Sequence, residues 1–289
     1  MPHSSAATPI VENQLAADLA RIRHVVLDMD GTIYLGGTLL PHTQPFLSTL
    51  ARLGIGYDFV TNNCSRSCAE YVDHLRQIGI ESTADSILTS AHATIHHLTS
   101  TLPHVKQLFV LGTLGLKEDL RLAGFEVVER DPDAVIVGFD TALTYDGLAQ
   151  TAYWISQGLP YVATHPDRVC PTDQPIVLPD CAAICALLET ATGRPPDAVP
   201  GKPNPRMLEA VFAQHDLMPQ EVALVGDRLY TDIRMARDAG AVAVLTLTGE
   251  TKRADLDSCP PNQRPDLVVA DLGEFGQMIE NARRGKQPG

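Results

Sequence analysis

Short β-branched runs separated by amphipathic helical stretches recur along nearly the whole chain, and no other feature narrows the possible folds so far. "HVVLD" (24–28) and "YDFVTNN" (57–63) have the make-up of buried strands. Between them "TQPFLSTLARLG" (43–54) has helical spacing and a terminal Gly54. Further strands are expected at "QLFVLG" (107–112), "DAVIVGF" (133–139), "PYVATH" (160–165), "EVALVGD" (221–227) and "AVAVLTL" (241–247). Helical patterns such as "TYDGLAQTAYWISQG" (144–158) separate them. This alternation predicts an α/β fold, with parallel sheets and helices on both faces. The 289 residues are enough for two cores.

Three of the expected strands stop on polar groups: Asp28, then Thr61 with Asn62 and Asn63, then Asp227. Ligands of open parallel sheets bind at the carboxyl ends of the strands, so groups distant in sequence are aimed at one edge. Residues 64–200 lie between "TNN" and "GKPNP" and carry their own strand–helix alternation. That is room for an inserted domain.

The chemistry begins at "DMDGT" (28–32). An Asp at a strand end can attack phosphorus and become an aspartyl phosphate. A second acid two positions on, Asp30, can protonate the leaving oxygen and later deprotonate water. Paired carboxylates also attract Mg²⁺, and Gly31 permits a tight turn. A calcium loop starts similarly, but Ile33, Tyr34 and Leu35 replace the further acids it needs. Thr61 and Asn62 offer a hydroxyl and an amide to phosphate oxygens, although Thr and Asn after a strand also cap helices. In "GKPNP" (201–205) Lys202 stands on a stiff turn, where a fixed ammonium can offset phosphoryl charge. In "LVGDRLYTDI" (224–233) Asp227 closes an apolar strand, and Asp232 follows near a helix start. Each piece alone has a plain structural reading as a turn, a cap or a solvated lysine. All four at strand ends or tight turns point to one site.

Composition excludes other classes. With 35 acids against 22 Lys and Arg, the net charge is −13, which disfavours nucleic acid polymers and anionic membranes as partners. No apolar run reaches membrane-spanning length. The start, "MPHSSAATPIVENQLAADLA", has neither basic residues nor a sustained apolar block, so it reads as a loose extension of a cytoplasmic protein rather than a signal. Cys64 with Cys68, and Cys181 with Cys185, are spaced i, i+4 without C-x-x-C pairs, and read as small buried thiols, not a zinc site. His92, His96 and His97 read as a solvated or partly packed helix face.

"DMDGT", "TNN", "GKPNP" and "GDRLYTDI" together resemble the four motifs of the haloacid dehalogenase (HAD) superfamily. The long insertion before "GKP" resembles its subclass with a large α/β cap, the NagD-like and p-nitrophenyl-phosphatase-like branch. The likeness runs from about residue 22 to 280. It implies a Rossmann-like HAD core at 21–88 and 197–284, a C2a-type cap at 89–196, and an extension at 1–20. It implies a Mg²⁺-dependent phosphatase acting on small phosphorylated metabolites through an aspartyl phosphate. The alternatives are a phosphotransferase or mutase, or a non-catalytic regulatory or binding protein of the same fold. By resemblance Asp28 is the nucleophile and a metal ligand, and Asp30 is the acid/base, ligating the metal through its carbonyl. Thr61, Asn62 and Asn63 hold the phosphoryl group, Lys202 stabilises charge, Asp227 completes the metal site, and Asp232 supports it. The resemblance also implies a homodimer formed through the cap. The cap segment "VIVGFDTALTYDGL" (135–148) matches that branch, whereas the cap loop usually reads "TNPD" and here reads "THPD" (164–167). Two readings stand side by side: His165, with Asp167 or Arg168, reaches the leaving group, or the loop merely packs at the hinge with His165 in solvent. A second departure is "LPDCAAICALL" (178–188), where relatives are richer in Gly.

Overall fold

The computed structural model describes residues 9–170, 176 and 178–285. In chain order its first elements are α1 (Pro9–Leu19), β1 (His24–Asp28), β2 (Tyr34–Leu35), β3 (Thr38–Leu39), α2 (Thr43–Leu53), β4 (Gly56–Thr61), α3 (Cys68–Gln77) and β5 (Ile87–Thr89). Next come α4 (Ser90–Thr101), β6 (Gln107–Leu111), α5 (Leu114–Leu122), β7 (Glu126–Val127), β8 (Ala134–Val137), α6 (Tyr145–Ser156) and β9 (Tyr161–Ala163). The remainder are β10 (Val169–Cys170), β11 (Leu178–Pro179), α7 (Cys181–Thr192), α8 (Arg206–His215), β12 (Val222–Gly226), α9 (Arg234–Ala239), β13 (Val242–Thr246), β14 (Leu267–Val269) and α10 (Leu272–Arg284). The nine expected elements form within a residue or two of their expected bounds. The short β5, β7, β10, β11 and β14 were not foreseen, because two or three residues carry no readable period.

The chain divides into two compact units. One comprises Met1–Tyr34, Leu39–Asp58 and Leu208–Gly289, the other Leu35–Thr38 and Phe59–Met207. In the first, parallel strands run in the order β14-β13-β12-β1-β4. Every residue of β1, β12 and β13 is buried, as expected for a parallel sheet covered on both faces. Register pairs Leu27 with Val225 and Gly226 with Leu245, so the carboxyl ends of β1, β12 and β13 stop level. Helices α2 and α10 pack through Phe46 and Phe275, whose ring centres lie 5.6 Å apart. Gly54 ends α2 at φ 65°, the left-handed cap a glycine accepts without strain. The segment from Pro9, read as loose, is helical to Leu19, and Leu19 itself is buried.

In the second unit, Phe59–Thr61 at the end of β4 pair in parallel with Ile87–Thr89. A separate parallel sheet runs β7-β6-β8-β9. Its strands alternate between two cores. Ala134 and Ile136 join Leu108, Val110, Leu116 and Leu120 on one face, while Val135 and Val137 join Tyr161, Ile184 and Leu188 on the other. The six cysteines are free, four of them buried, in keeping with the thiol reading. Among the described residues no helix is long and apolar enough to cross a membrane.

Candidate active site

In the first unit the level strand ends bring acids together. Asp28 is the last residue of β1, and Asp227 follows β12 directly. Asp232 lies on the π-helical turn Leu229–Ile233, a wide turn often found at functional sites. One carboxylate oxygen from each of Asp28, Asp227 and Asp232 lies within 4.8 Å of the other two, and all three residues are buried. An all-oxygen donor set of this kind suits a hard divalent ion such as Mg²⁺.

The backbone around these acids is cut to fit them. Gly31 has φ +87°, and a Cβ there would sit 2.6 Å from Asp227 Oδ2. At Gly249 a Cβ would approach the same oxygen to 2.0 Å, and at Gly226 it would meet Asp232 Cβ and Cγ at 2.3 Å. Glycine is thus required at three positions by contact with two carboxylates. The Glu250 N–H donates to Asp227 Oδ2 at 2.6 Å, the Arg228 N–H to Asp232 Oδ2 at 3.1 Å, and the Thr32 hydroxyl to Asp28 Oδ2 at 3.3 Å. Amides of Thr32, Ile33 and Tyr34 all donate to the Met29 carbonyl, and the Gly31 amide donates to the Tyr34 carbonyl at 2.7 Å. The turn expected after Asp30 is therefore present, with Asp30 in a bridge to Tyr34.

In the second unit the sequence-derived groups form a clamp around Lys202. Asn62 Oδ1 accepts from the Lys202 backbone N–H at 2.8 Å, and Asn62 Nδ2 donates to the Lys202 carbonyl at 3.1 Å and to Asp167 Oδ1 at 3.3 Å. The Gly201 amide donates to the Thr164 carbonyl at 2.9 Å. A Cβ on Gly201 would lie 2.6 Å from that carbonyl and 2.8 Å from Asn62 Oδ1. Thr61, Asn62 and Lys202 are all buried. Thr61 Oγ1 accepts from the Asn63 N–H, and Asn63 Oδ1 from the Ser65 N–H.

His165 is 1% exposed. Its Nε2 lies 2.9 Å from Asp180 Oδ1, and its Nδ1 lies 2.8 Å from Thr164 Oγ1 and 3.4 Å from Ser90 Oγ. Asp180 also caps α7 through the Cys181 N–H. Burial opposes a charge on His165, but its neighbours Cys181 and Asp180 outweigh that and hold its pKa well above the ordinary histidine range. Contact with a leaving group would require these internal bonds to exchange.

The structure thus gathers Asp28, Asp227 and Asp232 in one unit, and Thr61, Asn62, Asp167, His165 and Lys202 in the other. Sequence reasoning passed over Gly249, Glu250, Ser90 and Asp180. Only "LTLTGET" (245–251) carried a signal, since it repeats the pattern of an apolar strand ending in Gly and an acid.

Comparison with known proteins shows what the chain as a whole is similar to. Residues 25–126 match the family described as haloacid dehalogenase-like hydrolase, and 199–275 match the HAD-hydrolase-like family. The ribonucleotide monophosphatase NagD of Escherichia coli is 30% identical over 88% of this chain and 98% of its own. A crystal structure of 4-nitrophenylphosphatase from Thermotoga maritima superposes with a TM-score of 0.85 at 38% identity, covering 91% of this chain and 99% of that one. A glycerol phosphate phosphatase from Mycobacterium tuberculosis, solved in complex with magnesium, superposes with a TM-score of 0.83 at 31% identity, covering 94% and 82%. It has also been solved with calcium.

Proposed function

The chain belongs to the haloacid dehalogenase-like hydrolases, and we propose that within this family it is a Mg²⁺-dependent phosphomonoesterase acting on small phosphorylated metabolites. The observation that carries the reading is the convergence of three buried carboxylates from β1, the end of β12 and the turn after it. Such an all-oxygen arrangement at the strand ends suits a site for a divalent cation and a phosphoryl group.

Asp28 and Asp227 would hold the metal, with the Asp30 carbonyl, and Asp232 would brace them. When bound, Mg²⁺ supplies positive charge that offsets the phosphoryl oxygens and the attacking carboxylate. A carboxylate oxygen of Asp28 forms a bond to phosphorus as the ester oxygen leaves, and Asp30 gives that oxygen its proton. Asp30 then takes a proton from water, whose oxygen displaces Asp28 from phosphorus and releases inorganic phosphate. Thr61, Asn62 and Asn63 would orient the phosphoryl group, and Lys202 would stabilise its charge. The buried bonds of His165 support a role in holding Thr164–Asp167 rather than in touching the ester directly. The domain division that goes with this is a core of 21–88 and 197–284 and a cap of 89–196. The separate sheet of β6–β9 supports it. A homodimer through that cap and a cytoplasmic location complete the proposal; exposed Leu114, Tyr145 and Tyr153 support self-association.

Phosphate release from a broad panel of metabolite phosphates, with Mg²⁺ and without an added acceptor, tests the reading. Wild-type protein should turn over at least one monoester, and Asp28→Asn should not. Equal release from both, or turnover only with an alcohol acceptor, would refute it.

A further inference from the structure

A second polar cluster stands in the first unit apart from the groups assigned above. His24 opens β1, Asp58 lies in β4, and His215 closes α8. Both imidazoles address one oxygen: His24 Nε2 lies 3.0 Å and His215 Nε2 2.7 Å from Asp58 Oδ2. The rings stack with centres 4.2 Å apart and planes inclined by 30°. His24 and Asp58 are each 5% exposed. A Cβ on Gly56 would sit 2.6 Å from His24 Nδ1, so glycine at that position is what leaves room for the ring. Burial opposes ionisation of Asp58, but the bonds and charges of the two histidines outweigh it and keep its pKa below the usual value.

We infer that His24, Asp58 and His215 form a binding site for a borderline divalent cation, best matched by Zn²⁺. Two imidazole nitrogens and one carboxylate oxygen are a donor set zinc favours with three protein ligands and an open fourth position. The acid cluster at Asp28, by contrast, offers oxygen alone and suits a harder ion. The three donor atoms lie within 4.8 Å of one another. Ligands about 2 Å from a tetrahedral ion sit roughly 3.3 Å apart, so the two nitrogen–oxygen separations of 3.0 and 2.7 Å need widen only slightly. The His215 side chain is 31% exposed, which leaves solvent a way in and a place for water as fourth ligand. A third cluster, His165 with Asp167 and Asp180, is buried throughout with both ring nitrogens already bonded, and offers an ion no such entry. On binding, each neutral imidazole presents the Nε2 lone pair with its proton carried on Nδ1, and any imidazolium releases one proton to solvent. The bound ion would join the amino end of β1 to β4 and to the end of α8, at the opposite end of β1 from Asp28.

Equilibrium dialysis of the intact chain against Zn²⁺, in excess Mg²⁺ to occupy the acid cluster, tests this. One Zn²⁺ per chain is expected in the wild type and in Asp28→Asn. In His215→Gln, which keeps a donor for Asp58 but removes the imidazole, binding should weaken by more than the roughly 10- to 100-fold that loss of an outer partner costs. Addition of Zn²⁺ should raise the Tm of the wild type but not that of His215→Gln. Co²⁺ should give a visible d–d spectrum with the wild type only. No bound Zn²⁺ in the wild type, unchanged binding in His215→Gln, or loss of the ion in Asp28→Asn would each overturn the assignment.

Discussion

Asn62→Ala removes one side chain and strips partners from both backbone groups of Lys202. The bonds lost are the 2.8 Å contact from the Lys202 N–H to Oδ1 and the 3.1 Å contact from Nδ2 to the Lys202 carbonyl. Asn62 is 3% exposed and Lys202 is equally buried, so water does not readily replace the amide. Leaving a buried donor or acceptor unsatisfied costs about 1–3 kcal/mol. Two such groups give an expected loss of about 2–6 kcal/mol, with the weaker 3.3 Å bond to Asp167 adding little. Asn62→Asp should fare no better at neutral pH. It keeps the acceptor for the Lys202 N–H but turns an oxygen towards the Lys202 carbonyl and Asp167. Urea unfolding gives the stability change, and phosphate release with Mg²⁺ gives the effect on turnover. A bystander amide would behave differently: if Asn62→Ala unfolds within about 0.5 kcal/mol of the wild type and retains full turnover, the clamp has no such role.

Asp119 offers a test through pH. Burial is the main reason its pKa rises from 3.8 to about 6, against the opposing bond from the Cys68 N–H. Because the folded value is the higher one, ionisation destabilises the fold, and stability should fall between about pH 4 and pH 6 and then level off. The shift corresponds to about 3 kcal/mol, trimmed by solvent to about 1–2. Asp119→Asn should therefore unfold later than the wild type at pH 7.5 and match it near pH 4, as measured in urea at both. Gly249→Ala would place a methyl 2.0 Å from Asp227 Oδ2. Displacing that carboxylate by about 1 Å should lower kcat about a hundredfold, with the circular dichroism spectrum unchanged. His165→Ala leaves Asp180 buried without its imidazole, so stability should drop by about 3 kcal/mol while the ranking of substrates by kcat/KM is retained. A changed ranking would return His165 to direct contact with the leaving group. Chelation with EDTA should abolish phosphate release, and added Mg²⁺ should restore it.

Much of the fold was legible because its signals are local. The β-branched runs of β1, β12 and β13 are buried on both faces, and each stops at the first polar residue, so composition alone marks where a strand ends and which group stands there. The acids at 28 and 227 could be named on that ground, and Asp232 from its place near a helix start five residues on. Their neighbours could not. Gly249 and Glu250 reach Asp227 because β13 lies beside β12, and strand order is a long-range property that no window of sequence contains. The extension read as loose became a helix with Leu19 buried, since tertiary packing rather than propensity decides such short segments. From the sequence His165 either reaches the leaving group or stands in solvent at the hinge; two hydroxyls and Asp180 surround its buried ring, a neighbourhood no window of sequence contains.

The amino-acid sequence by itself determined the alternating elements, the polar stops at the strand ends, and through them the class of chemistry. Tertiary structure alone decided which of those stops share a site, because adjacency in a parallel sheet joins residues some two hundred positions apart. It also decided that Asn62 grips the backbone of Lys202, and that His24, Asp58 and His215 meet. Those contacts come from chain crossings, whose free energy lies in excluding water from paired polar groups, and a one-dimensional pattern does not record them.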